Sequence, residues 1–170
     1  MLRYIFSVCL VWLLVGCQSP SLPNSSQTKL YHLLLSLPQS NKQEAYRLSK
    51  EVISYANYLK EKFHPVVEPH FNNFLVNIGL QKQGLCYEWS DALYMHFSKR
   101  HYKYYTFHLI VANKGEYWSE HNAFAITTKG TNPLDGIIID LWRDVDGIYI
   151  SKISDDTQYQ WIHRKEREFR

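Results

Sequence analysis

The sequence predicts an α+β domain in which N-terminal helices come first. A further helix that starts at a cysteine then packs on an antiparallel sheet of about three to five strands. Two observations carry this. From Leu30 to Phe97 apolar residues recur at three- and four-residue spacing, and from Tyr104 onward the chain breaks into β-rich runs separated by Gly, Pro and Asn. A third observation is size: 170 residues with 45% hydrophobic content suffice for one core plus appendages.

Residues 1–16 read as an export signal: Arg3 supplies the positive start, and Tyr4 to Val15 is almost wholly apolar yet too short for a comfortable membrane span. The run ends in Leu14-Val15-Gly16-Cys17, which resembles a bacterial lipobox. That resemblance implies that Cys17 is lipidated and becomes the first mature residue, anchoring the chain to a membrane through several acyl chains. Residues 17–27 then form a lipidated tether, polar and rich in Pro and Ser. Gln18 behind the lipidated cysteine implies the periplasmic face of the outer membrane if the source is Gram-negative.

The domain itself is expected over 28–163. Leu30, Leu33, Leu34 and Leu37 form one short stripe ending at Pro38. Ser40 and Gln43 fit a capping box for the next helix. That helix carries Ala45, Leu48, Val52, Ala56, Leu59 and Phe63, the strongest helical period in the chain, and Pro65 ends it. Pro69 fits the first turn of a third helix with Phe71, Phe74, Leu75 and Ile78 facing inward, and Gly79 fits its C-terminal cap. Gly84 leads into the helix of Cys86, where Trp89, Ala92, Leu93, His96 and Phe97 share a stripe, and Glu88 and Asp91 fall on the solvated side. Strands follow over Tyr104–Ala112, Tyr117–Thr128 and Gly136–Arg143, with a short fourth over Gly147–Ile153. Residues 164–170 read as a charged, solvated tail.

The net charge of +3 gives no nucleic-acid footprint, although a mildly basic chain favours anionic surfaces. The 15% aromatic content suits a β-containing domain or a surface that grips polymers. With no His-Glu-x-x-His, no Cys-x-x-Cys and no carboxylate ladder, neither metal nor cofactor is expected, and His101 and His108 read as ordinary strand-region residues.

Cys9 leaves with the signal and Cys17 takes lipid, so Cys86 is the mature chain's unpaired thiol in a compartment that permits disulfides. At a helix start its thiolate is favoured by the helix dipole, and its own N–H is a free donor for an oxyanion. Gln83 or Gln81, just before the helix, or Asn72 or Asn73, on the preceding one, could add a side-chain donor; the sequence leaves that choice open. Strand alternation places His121 with Ala123 and Ala125, small residues that would let the Cys86 helix pack close, with Asn122, Phe124 and Ile126 on the opposite face. Asp140, inside Ile-Ile-Ile-Asp, is poorly placed for a surface charge; a hairpin through Gly130–Pro133 brings it beside His121 if the register holds, with Trp142 as a shield. Glu120 reads as a surface charge.

Gly84-Leu85-Cys86 with Trp89, then His121, then Asp140 resemble the transglutaminase-like cysteine-peptidase superfamily of the broader papain-like class. The resemblance covers roughly 72–142 and implies a Cys-His-Asp triad that cleaves or transfers a peptide or isopeptide acyl group through a thioester. The expected partners are a membrane and a protein or peptide amide of the cell envelope. Two alternatives stand beside it: a catalytically inactive relative serving as a binding or assembly module, and a cell-wall amidase of papain-like type.

Overall fold

The computed structural model describes residues 22–64, 68–116, 118–144 and 147–168. The expected signal, the lipidation site Cys17 and the helix-ending Pro65 lie outside the described residues. Helices α1 (Asn24–Leu35), α2 (Lys42–Phe63), α3 (Pro69–Asn77) and α4 (Cys86–Phe97) precede strands β1 (Tyr105–Ala112), β2 (His121–Thr128), β3 (Ile137–Asp140), β4 (Tyr149–Lys152) and β5 (Ile162–His163). The strands form one antiparallel sheet in the order β4-β3-β2-β1-β5. The fold class is thus α+β, as the sequence predicts. Among the described residues no helix is long and apolar enough to cross a membrane.

The folded part starts earlier than expected. Leu22 is buried and its N–H donates to Asn57 Oδ1 at 2.8 Å, so the last residues assigned to the tether already belong to the domain. The cap of α2 is Asn41, whose side chain accepts from Glu44 N at 3.0 Å; Ser40 instead donates to the carbonyl of Leu35. An amide oxygen one residue closer to the helix satisfies the N3 donor directly.

Both faces of the sheet are covered. On one lie α2 and α4, whose Leu48, Val52, Leu93 and Phe97 pack with Phe124, Ile126, Ile137 and Ile139. On the other, Ile110, Ala112, Ala123, Ala125 and Ile138 meet Ile153 and Trp161. Burial on both sides explains the unbroken Ile137-Ile138-Ile139 run and the complete burial of β2. It also corrects the reading of the alanines: α4 packs on the Phe124/Ile126 face, and Ala123 and Ala125 make room for the aromatic residues of the C-terminal segment.

Three further corrections bear on the site. Helix α3 is inverted relative to expectation: Phe71, Phe74 and Ile78 are about half exposed, while Asn72 is buried. Strand β2 begins at His121 rather than Tyr117, and β3 stops at Asp140, whose Oδ1 accepts the N–H groups of Trp142 (3.0 Å) and Arg143 (3.1 Å) and turns the chain out of the strand. The charged tail is tied down as far as it is described: Glu168 accepts from Leu109 N at 2.8 Å, Arg167 pairs with Asp91, and Arg164 pairs with Glu120.

Candidate active site

The turn before Cys86 is built around Gly84. Its φ is +123°, and a Cβ there would lie 2.3 Å from Asn72 Nδ2. Only glycine fits both the dihedral and the space. Asn72 Nδ2 and Trp89 Nε1 both donate to the Gly84 carbonyl, at 3.1 and 3.2 Å, locking the turn from below. Glu88 is not a solvated charge: its Oε2 accepts the N–H of Gly84 (2.7 Å) and of Leu85 (2.9 Å). These bonds engage the donors just ahead of the helix, while the N–H of Cys86, at its first position, keeps no intrahelical acceptor.

His121 and Asp140 meet as the register requires. Phe124 pairs with Ile139 and Ile126 with Ile137, so continuing the ladder puts Asp140 opposite Ala123, one diagonal step from His121 on the same face. His121 Nε2 lies 2.6 Å from Asp140 Oδ2. Both residues are only 2% exposed. The ring is boxed by Trp142, Tyr159 and Trp161, at centroid separations of 4.8, 4.7 and 5.5 Å. Trp142 therefore shields the pair as expected, and its Nε1 is anchored on Asn73 Oδ1 at 3.0 Å.

Behind Asp140 stands a second carboxylate. Arg143 Nε donates to Asp140 Oδ2 at 3.2 Å, while its two terminal nitrogens make a bidentate pair with Asp156 at 3.1 and 2.8 Å. The guanidinium lies over the ring of Tyr149, 3.9 Å from its centroid. Trp161 Nε1 completes the set with a 2.8 Å bond to Asp156. Burial pushes the Asp156 carboxyl up, but Arg143 and Trp161 outweigh it and hold it below the ordinary range.

Cys86 arrives from the other face of the sheet. It is 8% exposed, and its thiol donates to the carbonyl of Glu120, 3.7 Å away, where β2 begins. The remaining nitrogen of His121, Nδ1, is buried and makes no hydrogen bond of ordinary geometry. The sulfur nevertheless acts on the ring. Burial alone would lower the His121 pKa, but the hydrogen bond it donates to Asp140 and the neighbouring Asp140 and Cys86 groups raise it to about 9. The imidazole is therefore favoured as its cation at neutral pH, with Asp140 on one nitrogen and the sulfur by the other.

Of the four residues considered as oxyanion donors, Asn72 is committed beneath Gly84 and Gln81 to the carbonyls of Phe63 and His64. Asn73 lines the cleft with its Oδ1 engaged by Trp142, which leaves its NH₂ as a donor, and Gln83 is partly buried beside the turn, outside the residues lining the cleft. The better-placed donor is Asn122, whose Nδ2 lies 3.8 Å from Cys86 Sγ and 3.4 Å from Glu120 Oε1. Its Oδ1 accepts from Arg164 at 2.7 Å. Flipping the amide would aim its NH₂ at a guanidinium and its oxygen at a carboxylate, so the charges around it fix the donor toward the sulfur. Arg164 also pairs with Glu120 and, outweighing burial, holds that carboxyl below its usual range. Neither Asn122 nor Arg164 stood out in the sequence. The available signal was the bulk of Phe124 and Ile126, which marks the face of β2 that a helix covers.

The thiol opens into a cleft of about 760 Å³. Phe74 and Ile78 of α3 form one wall, Tyr87 continues it beside Cys86, and Trp118, 86% exposed, faces them with Glu120 and Asn122. A second depression of about 640 Å³, lined by Arg47, Tyr102 and Lys103 among others, contains no member of the Cys-His-Asp set. No protein-family model, no curated protein and no solved structure matches this chain.

Proposed function

We propose that this protein is a thiol-dependent acyl-transfer enzyme of transglutaminase-like, papain-like type, held in the cell envelope through lipidated Cys17. The observation that carries the reading is the buried His121–Asp140 pair, 2.6 Å apart, whose free ring nitrogen is left to a thiol at the mouth of a cleft. With its proton already held on His121, the Cys86 sulfur attacks the carbonyl carbon of an amide. The developing oxyanion is met by the N–H of Cys86 and by Asn122 Nδ2. The C–N bond breaks, the amine leaves with the proton from His121, and a thioester remains. Water or a second amine then adds, giving its proton to His121, and the sulfur departs. Asp140 orients the ring throughout. The aromatic and aliphatic walls of the cleft suit a polypeptide or peptide amide with apolar side chains beside the scissile bond.

The test is alkylation of Cys86 by iodoacetamide, read by peptide mass across pH 5–10. The wild type should react readily at neutral pH. In His121→Ala the rate at pH 7 should fall roughly tenfold or more and its pH dependence should change. Cys86→Ala should keep the fold and lose all acyl transfer. An unchanged pH–rate curve in His121→Ala overturns the pairing.

The half-exposed Phe71, Phe74 and Ile78 favour a second reading, a tethered peptide-binding module with an idle thiol. That reading holds instead if Cys86→Ala binds peptides as the wild type does and no thioester can be trapped from the wild type.

A further inference from the structure

At the β1–β5 edge of the sheet, strand pairing gathers two imidazoles and a carboxylate. His163 on β5 pairs with Ile110 on β1, so His108, two residues along β1, shares its face. The two rings meet edge to face with centroids 5.3 Å apart. The last described turn returns Glu168 to the same place: its Oε1 lies 2.7 Å from His163 Nε2 and 3.6 Å from His108 Nδ1. One ligand atom from each of the three falls within 4.8 Å of the others.

Second-sphere contacts prepare these groups. His108 Nε2 lies 3.2 Å from Thr127 Oγ1, itself 3.0 Å from Thr106 Oγ1. His108 Nδ1 is buried with no hydrogen-bond partner of ordinary geometry and lies 3.6 Å from Glu168 Oε1. A lone pair facing a carboxylate is unfavourable unless a proton or a cation lies between them. His163 keeps 27% of its side chain exposed, which leaves a path for water.

We propose that His108, His163 and Glu168 bind a divalent transition-metal ion of the zinc class, with water in the fourth position. Two imidazoles and one carboxylate are a common zinc donor set, with bonds of about 2.0–2.2 Å and ligand atoms therefore about 3.4 Å apart. The two separations to Glu168, 2.7 Å and 3.6 Å, lie within about 1 Å of that value, and the third is no more than 4.8 Å. The ion joins β1, β5 and the closing turn. Arg164 directly follows His163 and orients Asn122, so metal binding also steadies the donor beside Cys86.

The experiment is calorimetric titration of the metal-stripped chain with ZnCl₂ at pH 7.5, paired with thermal melts. The background is Cys86→Ala, so that the thiol cannot be the ligand. One equivalent should bind and raise Tm. His163→Ala and His108→Ala should each lose at least about tenfold in affinity along with the Tm rise, and Thr127→Val should weaken binding about tenfold through the outer sphere. His101→Ala should bind as the parent does. The proposal is overturned if the parent takes up no stoichiometric zinc, or if His163→Ala, at the more exposed position, binds as tightly as the parent.

Discussion

The two faces of the sheet are built on different principles. The helix-covered face is an aliphatic and aromatic core in which Leu93, Phe97, Phe124 and Ile126 are almost completely buried. The opposite face is paved with alanines so that Tyr159 and Trp161 can close over a charged pair of carboxylates and one guanidinium. Cys86 comes from the first side and His121 and Asp140 from the second, and they meet only where β2 begins. Stability and positioning are thereby separated. Mutations on the helix side should act on the fold, and mutations on the other side should act on the imidazole.

The largest expected effect tests the first half of that statement. Phe97→Ala leaves a cavity against Phe107 and Phe124 and should cost about 3–5 kcal/mol by chemical denaturation. The Cys86 alkylation profile of the surviving folded protein should stay unchanged. On the far side, Asp156→Asn leaves Arg143 buried with only Asp140 to balance it. It should cost about 3 kcal/mol, the lower end for a broken buried pair. Unlike Phe97→Ala, it should also shift the pH dependence of alkylation. If the two variants changed that profile equally, the two faces would not be separable.

A comparable effect follows from titration. His121 is raised from 6.5 to about 9, so its contribution is complete below pH 6.5 and is lost as pH rises through 9. The shift corresponds to something on the order of 3 kcal/mol. Denaturation midpoints should therefore decline between pH 6.5 and 9 in the wild type, and much less in Asp140→Asn. A flat wild-type profile over that window would show that the imidazolium contributes nothing to the fold. The smallest expected change is at Phe74→Ser. Because the ring is half exposed on α3, stability should move by no more than about 0.5 kcal/mol, while peptide binding in the cleft weakens.

Cys86, His121 and Asp140 were legible because each breaks a local pattern: a thiol at a helix start, a histidine beside small residues, an aspartate inside an isoleucine run. The helices and the first four strands were legible from period and turn residues alone. What period cannot tell is which neighbour a stripe faces. The apolar residues of α3 keep helical spacing yet line a cleft, because Asn72 is needed beneath Gly84. For the same reason Asn122 was assigned away from the site, since the alternation was right but the packing face was not. The two-residue strand β5 and the paired charges after it arise from contacts across more than 40 residues, such as Arg164 with Glu120 and Asn122, which no local window contains.

The glycine two residues ahead of the nucleophile has one more consequence. A methyl group added there would collide with an amide that is itself wedged under the turn, so the disturbance would pass straight to the sulfur's perch while every reacting atom stayed chemically intact. Gly84→Ala thus strains the turn under the sulfur while leaving every functional side chain in place, a control for separating the proposed reaction from binding by contact.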